Sequence, residues 1–254
     1  MAFKTLTVGI EEGIGKLTLN QPDNLNPLGT NTLQEIIEAT RWFDAQNVPV
    51  VVISGKGRVF SAGFDLREFN APNQDGRNGA ALGKQMADAI ENMAAVAIAA
   101  VHGHCVGGGV VLVGACDLRI AATNTNFSIP EVDLGIPLAW GGIPRLVREI
   151  GPAMTRELVM TCRPFTASEA KSIGFINRVV EEAELGQEAL DLASAIKKRP
   201  QSVIQTTKQQ VRSAAEDLAS THNEWIGELL ITAAGQNADA RQAAQQYLEE
   251  KKKQ

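Results

Sequence analysis

Two apolar runs, each breaking into a glycine turn, constrain this chain most. The first is Val50-Val51-Val52-Ile53-Ser54-Gly55, which leads to Phe60-Ser61-Ala62-Gly63-Phe64-Asp65. The second is Ala95-Val96-Ala97-Ile98-Ala99-Ala100-Val101, which leads to Gly103-His104-Cys105-Val106-Gly107-Gly108-Gly109. Runs without polar alternation read as strands buried on both faces of a parallel sheet. A helix-like segment follows each turn, and in open α/β sheets ligands gather where such turns meet, at the carboxyl ends of the strands. Two turns of this kind can aim free backbone N–H groups at one point and hold a developing oxyanion between them.

The surrounding pattern is consistent with that frame. Residues 4–20 alternate around Glu-Glu-Gly and predict a hairpin, and a Pro/Asn loop follows over 21–26. A helical period runs over 30–43, with Thr30 or Asn31 as its cap. A polar loop spans 70–78; helices are expected at 80–93 and 108–115, and strands at 96–101 and 117–122. Such alternation predicts an α/β fold with a mainly parallel sheet. Beyond Gly142 the pattern turns helical: 142–150, 152–161, 167–173, then 184–198, 201–214, 217–234 and 238–250, interrupted by a short strand at 175–180. The expected division is a core over 1–195 and a helical region over 196–254, hinged near Lys197-Lys198-Arg199-Pro200.

Composition removes several classes of function. The 254 residues are 44% hydrophobic, and no unbroken apolar stretch is long enough for a bilayer. Met1-Ala2-Phe3-Lys4 starts no signal peptide, and Cys105, Cys116 and Cys162 lack C-x-x-C spacing. Reduced thiols, a cytoplasmic location, no membrane partner and no metal are the expectation. A net charge of −5 argues against a nucleic-acid partner. Lys251-Lys252-Lys253 follows Glu249 and Glu250 and reads as a solvated chain end.

The glycine cluster 107–109 allows positive φ and close approach of a ligand, or close helix-on-strand packing. It is neither a dinucleotide fingerprint nor a phosphate loop. Ser61 lacks the glycine that a nucleophile elbow needs at position 59, and the available bases are His102, His104 and His222, so it reads as a turn residue. Glu131 stands out among the carboxylates, because Phe127-Ser128-Ile129-Pro130 precedes it and Leu134-Gly135-Ile136-Pro137 follows. Burial there would raise its pKa and suit it to moving protons near neutrality. A helix cap or a salt bridge to Arg145 is the competing assignment. Asp117 and Asp133 read as structural, and Asp65 as the cap of the segment after it.

These motifs in order resemble the enoyl-CoA hydratase/isomerase (crotonase) superfamily. The resemblance runs through Phe60–Leu66, Ala99–Gly109, Cys116–Ala121, Phe127–Gly135, Gly141–Leu146, Thr166–Ala170 and Gly174–Val180, with Pro22, Asn26 and Leu28 near the start. It implies a crotonase-like ββα-repeat core, a helical C-terminus that assembles trimers or pairs of trimers, and an acyl-CoA thioester substrate. No cofactor is implied beyond the CoA carried by that substrate. By position, the N–H groups of Phe64 and Gly108 would hold the thioester oxygen and Glu131 would carry the proton. Asn24, Leu25 and Asn26, with Ala62, Asp65 and Leu66, would meet CoA, and Arg67 would reach a phosphate. Val111, Leu138 and Trp140 would line an acyl pocket. Hydratases of this family carry a second glutamate three residues after the middle glycine, where this chain has Val111. A single carboxylate suits a 1,3-shift of a double bond, so an isomerase is the expectation. The alternatives are a hydratase with a substitute acid such as Asp133, and an acyl-CoA-binding scaffold without turnover.

Overall fold

The computed structural model describes residues 3–68, 79–222 and 225–251. The polar loop expected over 70–78 and the end of the lysine tail lie outside them. The chain opens with β1 (Leu6–Glu11) and β2 (Ile14–Leu19), an antiparallel hairpin. Its turn residues Glu12 and Gly13 both have positive φ, 49° and 72°, matching the twist of a two-residue hairpin. A 3-10 turn at Pro22–Asn24 leads to α1 (Thr30–Ala45), β3 (Val50–Gly55), α2 (Gly79–Asn92), β4 (Val96–Val101) and β5 (His104–Val106). Next come α3 (Gly108–Gly114), β6 (Leu118–Ala122), β7 (Asn126–Ser128), α4 (Gly142–Thr161), β8 (Phe165–Thr166), α5 (Ala167–Ser172) and β9 (Arg178–Val180). Four helices close the described chain: α6 (Glu182–Lys197), α7 (Gln201–Leu218), α8 (Trp225–Gln236) and α9 (Ala238–Lys251).

The main sheet runs β1-β2-β3-β4-β6-β9, and every pair after the hairpin is parallel. The period of two sorts its side chains. Val51, Ile53, Ala97, Ala99 and Val101 join the larger core, which also holds residues of α1, α2 and α3. Val50, Val52, Val96, Ile98 and Ala100 face the other way, onto Leu185, Ala189 and Ala193 of α6. Those α6 residues recur every four positions and thus share one helical face. Burial on both faces explains why the strands carry no polar alternation.

A second sheet, β5-β7-β8, has no counterpart in the sequence reading. Its strands of two or three residues are too short to show a period. Phe127 of β7 anchors it, stacked 5.2 Å from Phe165 and edge-to-face at 5.7 Å with Phe175. The strand expected over 175–180 is shortened to β9, because Phe175 and Ile176 both donate their N–H groups to the Ala170 carbonyl in a turn after α5. The helices expected at 142–150 and 152–161 are both present within α4 and meet at Gly151, whose φ of 74° and ψ of 165° are not helical, just before Pro152. The helix expected over 217–234 is divided: α7 ends at Leu218 and α8 starts at Trp225. The boundary placed at 195/196 falls in the last turn of α6, and the break in helix is at Lys198–Pro200. No helix is long and apolar enough to cross a membrane among the described residues.

Phe127 lies at the junction of both sheets' packing and is fully buried. Phe127→Ala is expected to cost about 3–5 kcal/mol of stability, read as a fall in the urea midpoint. A loss under about 1 kcal/mol would mean that the aromatic cluster does not anchor the second sheet.

Candidate active site

The two glycine turns are bonded to each other. Past β3 the chain runs beside the β4–β5 segment: Phe60 N donates to His102 O at 2.9 Å, Ser61 N to His104 O at 3.2 Å, and Val106 N to Ser61 O at 3.0 Å. The loop at 21–28 clamps this seam. Asn26 is buried, and its Nδ2 donates to the carbonyls of Lys56, Val59 and Phe60 at 2.9, 3.0 and 3.2 Å. Ser61 Oγ donates to Asn26 O at 2.8 Å and accepts from Gly63 N at 3.1 Å, which makes it the turn residue expected. Ala62 N donates to Leu25 O at 2.9 Å.

The N–H groups of Ser61, Ala62 and Gly63 are thus all used internally. That of Phe64 has no hydrogen-bond partner among the described residues, and neither has that of Gly108. Glycine is required on both sides of this pair. Gly63 has φ +85°, and a Cβ there would lie 2.6 Å from Val106 O and 3.5 Å from Gly108 N. Gly107 has φ +50°, and a Cβ there would collide with Glu131 Oε1. The same contact shows that the Glu131 carboxyl is held against the second turn.

Glu131 follows β7 in a turn and carries no ion pair among the described residues. Its Oε2 is buried without a hydrogen-bond partner. Removal from water pushes its pKa up to about 7. The salt bridge to Arg145 considered from the sequence is not formed. Arg145 instead holds Asp88 at 2.9 Å and Glu91 at 2.5 Å, with the carbonyls of Trp140 and Gly141 at 3.1 and 3.2 Å. Asp133, the candidate substitute acid, is exposed beside Cys162 and lines neither cavity described below.

A cavity of about 770 Å³ opens here, and Phe64, Gly108, Glu131, Val111, Leu138 and Trp140 all contribute to its wall. Ala62 and Leu66 line a smaller pocket of about 60 Å³ that Glu131 also borders, with Tyr247 of α9. Asn24, Leu25, Asn26, Asp65 and Arg67 line neither. Leu25 and Asn26 hold the seam, while Arg67 is occupied by Asp65 at 2.7 Å.

Glu68 was missed by the sequence reading. It lines the cavity, and its Oε2 accepts from Thr30 N at 2.9 Å and from Thr30 Oγ1. Thr30 and Asn31 therefore do not cap α1. The N-cap position is Gly29, which has no side chain, and the carboxylate comes from 38 residues away. The other missed residues come from α8 and α9, which cover the cavity with Ile231, Ala234, Ala240, Ala244 and Leu248. No local signal pairs these helices with the glycine turns.

Free amides opposite a buried, readily protonated carboxyl can polarise a carbonyl and exchange a proton at the carbon next to it. Comparison with known proteins agrees with that chemistry. A family model described as enoyl-CoA hydratase/isomerase matches residues 9–254. The chain is 38% identical to a crotonyl-CoA hydratase of Syntrophomonas wolfei, covering 82% of this chain and 81% of that one. It is 34% identical to a mevalonyl-coenzyme A hydratase of Aspergillus fumigatus, over 87% and 84%. It is 32% identical to a short-chain-enoyl-CoA hydratase of Clostridium acetobutylicum, over 99% and 97%. Among solved structures, an enoyl-CoA hydratase/isomerase from Xanthobacter autotrophicus Py2 superposes with a TM-score of 0.87 at 26% identity, covering 95% of this chain and 91% of that one. The names of these curated relatives favour water addition over the double-bond shift expected from Val111.

Burial of Glu131 has a thermodynamic consequence. The folded carboxyl keeps its proton up to about pH 7, whereas the ordinary value is 4.5. The native state therefore binds more protons between those values, and stability falls as pH rises through them. Glu131→Gln, which cannot ionise, is expected to gain in Tm relative to the parent chain across that window. A Tm difference that stays flat with pH would show the carboxyl to be solvated.

Proposed function

The chain belongs to the enoyl-CoA hydratase/isomerase family, and on that premise we propose that it adds water to a 2-enoyl-CoA thioester, with Glu131 as acid and base. The observation that carries this is the Glu131 carboxyl, its Oε2 buried without a partner, held on the same cavity as the unbonded N–H groups of Phe64 and Gly108. The thioester oxygen accepts from both amides, each worth roughly 3 kcal/mol in the transition state. Ionised Glu131 takes a proton from water as the water oxygen bonds to the β-carbon. The electron pair of the double bond moves toward the thioester oxygen as an enolate. Glu131 then returns the proton to the α-carbon and the carbonyl re-forms. Neither step calls for a metal or a redox cofactor; CoA arrives on the substrate.

The CoA portion would be held along Ala62–Leu66, beside the smaller pocket, whereas the N–H groups of Asn24, Leu25 and Asn26, expected from the sequence to share in this, are bonded within their own loop. Assembly as a trimer or a pair of trimers through the C-terminal helices, in the cytoplasm, belongs to the same proposal. The assembly is supported by exposed Val203, Val211 and Leu218 on α7.

A second reading is favoured by Val111, which is buried on the cavity wall where a second carboxylate would be needed to orient water. In that reading Glu131 removes the α-proton of a 3-enoyl-CoA and returns it at the γ-carbon. Glu131 performs proton transfer in both.

Purified protein is expected to convert crotonyl-CoA to its 3-hydroxy product, with Glu131→Gln lowering kcat at least 100-fold. Conversion of 3-enoyl-CoA alone, with no hydroxy product, would establish the second reading. Absence of both, together with no α-proton exchange in deuterated water, would leave only a binding scaffold. Since the ionised carboxyl deprotonates water, kcat for hydration should rise with pH through about 7. A rate that instead falls over that range would mean that the carboxyl starts the reaction protonated.

A further inference from the structure

We propose that Trp140 plugs the gap between α2 and α3 and turns the acyl chain beneath α8 and α9, so that the protein accepts medium-length acyl groups. This rests on the enoyl-CoA reading above and names the part of the substrate that the cavity selects.

Trp140 is a bulky residue in left-handed backbone, with φ +61°. Such a conformation persists only where the surroundings over-determine it. Here they do. Its indole lies between glycines of two helices: a Cβ at Gly83 of α2 would collide with the ring, and so would one at Gly108 of α3. The Phe64 ring meets it edge-to-face at 6.0 Å and 83°. Arg145, itself buried, holds the Trp140 carbonyl at 3.1 Å.

Gly108 bears one of the two free amides, so the indole stands beside the point where an acyl chain leaves the thioester. The direct path between α2 and α3 is closed by that ring. Open space continues under the C-terminal helices, walled by Ile231, Ala234, Ala240, Ala244 and Leu248. Three of those five are alanines, which leave room for a chain. The height of this roof is set by Gly135 (φ +70°), which packs directly on the Ala240 carbonyl. At about 770 Å³ this open cleft has the size of those that take drug-sized ligands, room for the thioester end together with an acyl chain longer than four carbons.

The test is a ladder of 2-enoyl-CoAs with four, eight and twelve carbons, read as kcat/KM. The parent chain should turn over the eight-carbon substrate at least as well as the four-carbon one. Ala244→Trp, which fills the roof, should lower the twelve-to-four-carbon ratio tenfold or more, whatever loss is common to all lengths. Adding Trp140→Ala should restore part of that ratio by opening the second path. Should that variant fail to fold by circular dichroism, Ala244→Trp decides alone. An unchanged ratio in Ala244→Trp, or a parent chain confined to four carbons, overturns the proposal. Where no enoyl-CoA of any length is turned over, the catalytic reading fails instead. The route is then read from calorimetric binding of dodecanoyl-CoA against butyryl-CoA, with the same tenfold ratio expected in Kd and an unchanged ratio overturning it.

Discussion

The backbone seam between the 59–61 segment and the 102–106 segment is the constraint on which the site depends. It joins two ββα units whose turns would otherwise be independent loops, and it forms in the interior, where an unmade hydrogen bond costs about 1–3 kcal/mol. Asn26 raises that stake by closing three carbonyls with one carboxamide. With Ser61, Ala62 and Gly63 fully bonded, the chain has one amide left over at Phe64. Geometry of this kind is pre-organised: the donors are held unbonded before any ligand arrives, and little reorganisation is needed when charge develops on an oxygen between them.

Glu131 complements that seam and works against stability. A buried carboxyl with one oxygen unpartnered is costly, and the fold keeps cations away from it. Arg145 and Arg148 are drawn instead into a network with Asp88, Glu91 and Glu216 that ties α2, α4 and α7 together. Moving either guanidinium to Glu131 would stabilise the anion and lower its pKa. The structure places the ion pairs where they join helices and leaves desolvation to outweigh the single backbone hydrogen bond that favours the anion, a division expected where a group must change protonation near neutrality.

Legibility differed between elements for physical reasons. The β3 and β4 runs were readable because strands buried on both faces must be apolar throughout. α1 was readable because a one-sided helix shows its period, and α6 because its stretch is rich in good helix formers such as Ala, Glu and Lys. The second sheet was not, since its strands have no length in which to show one. Its existence follows from Phe127, Phe165 and Phe175 meeting at a point that no local spacing encodes. Glu131 was legible as an acid among prolines and apolar residues. Its freedom from Arg145 was not, because that depended on where α2 presents Asp88 and Glu91. Val111 illustrates the limit from the other side. Its position facing the cavity was readable from helical spacing, yet the curated relatives are named for a reaction that its side chain does not assist.

By itself, the sequence determined the strand-turn-helix alternation, the glycines at 63, 107 and 108, and the presence of a lone acid in an apolar stretch. These are properties of neighbouring residues: backbone freedom, side-chain period and local hydrophobicity. Only the tertiary structure decided that Asn26 would clamp the turns, that Glu68 would cap α1, that Gly83 would make room for Trp140, and that α9 would close the cavity over Glu131. Each of those depends on groups distant in sequence meeting at one point, and close packing, which fixes such meetings, is not a property of any local stretch of chain.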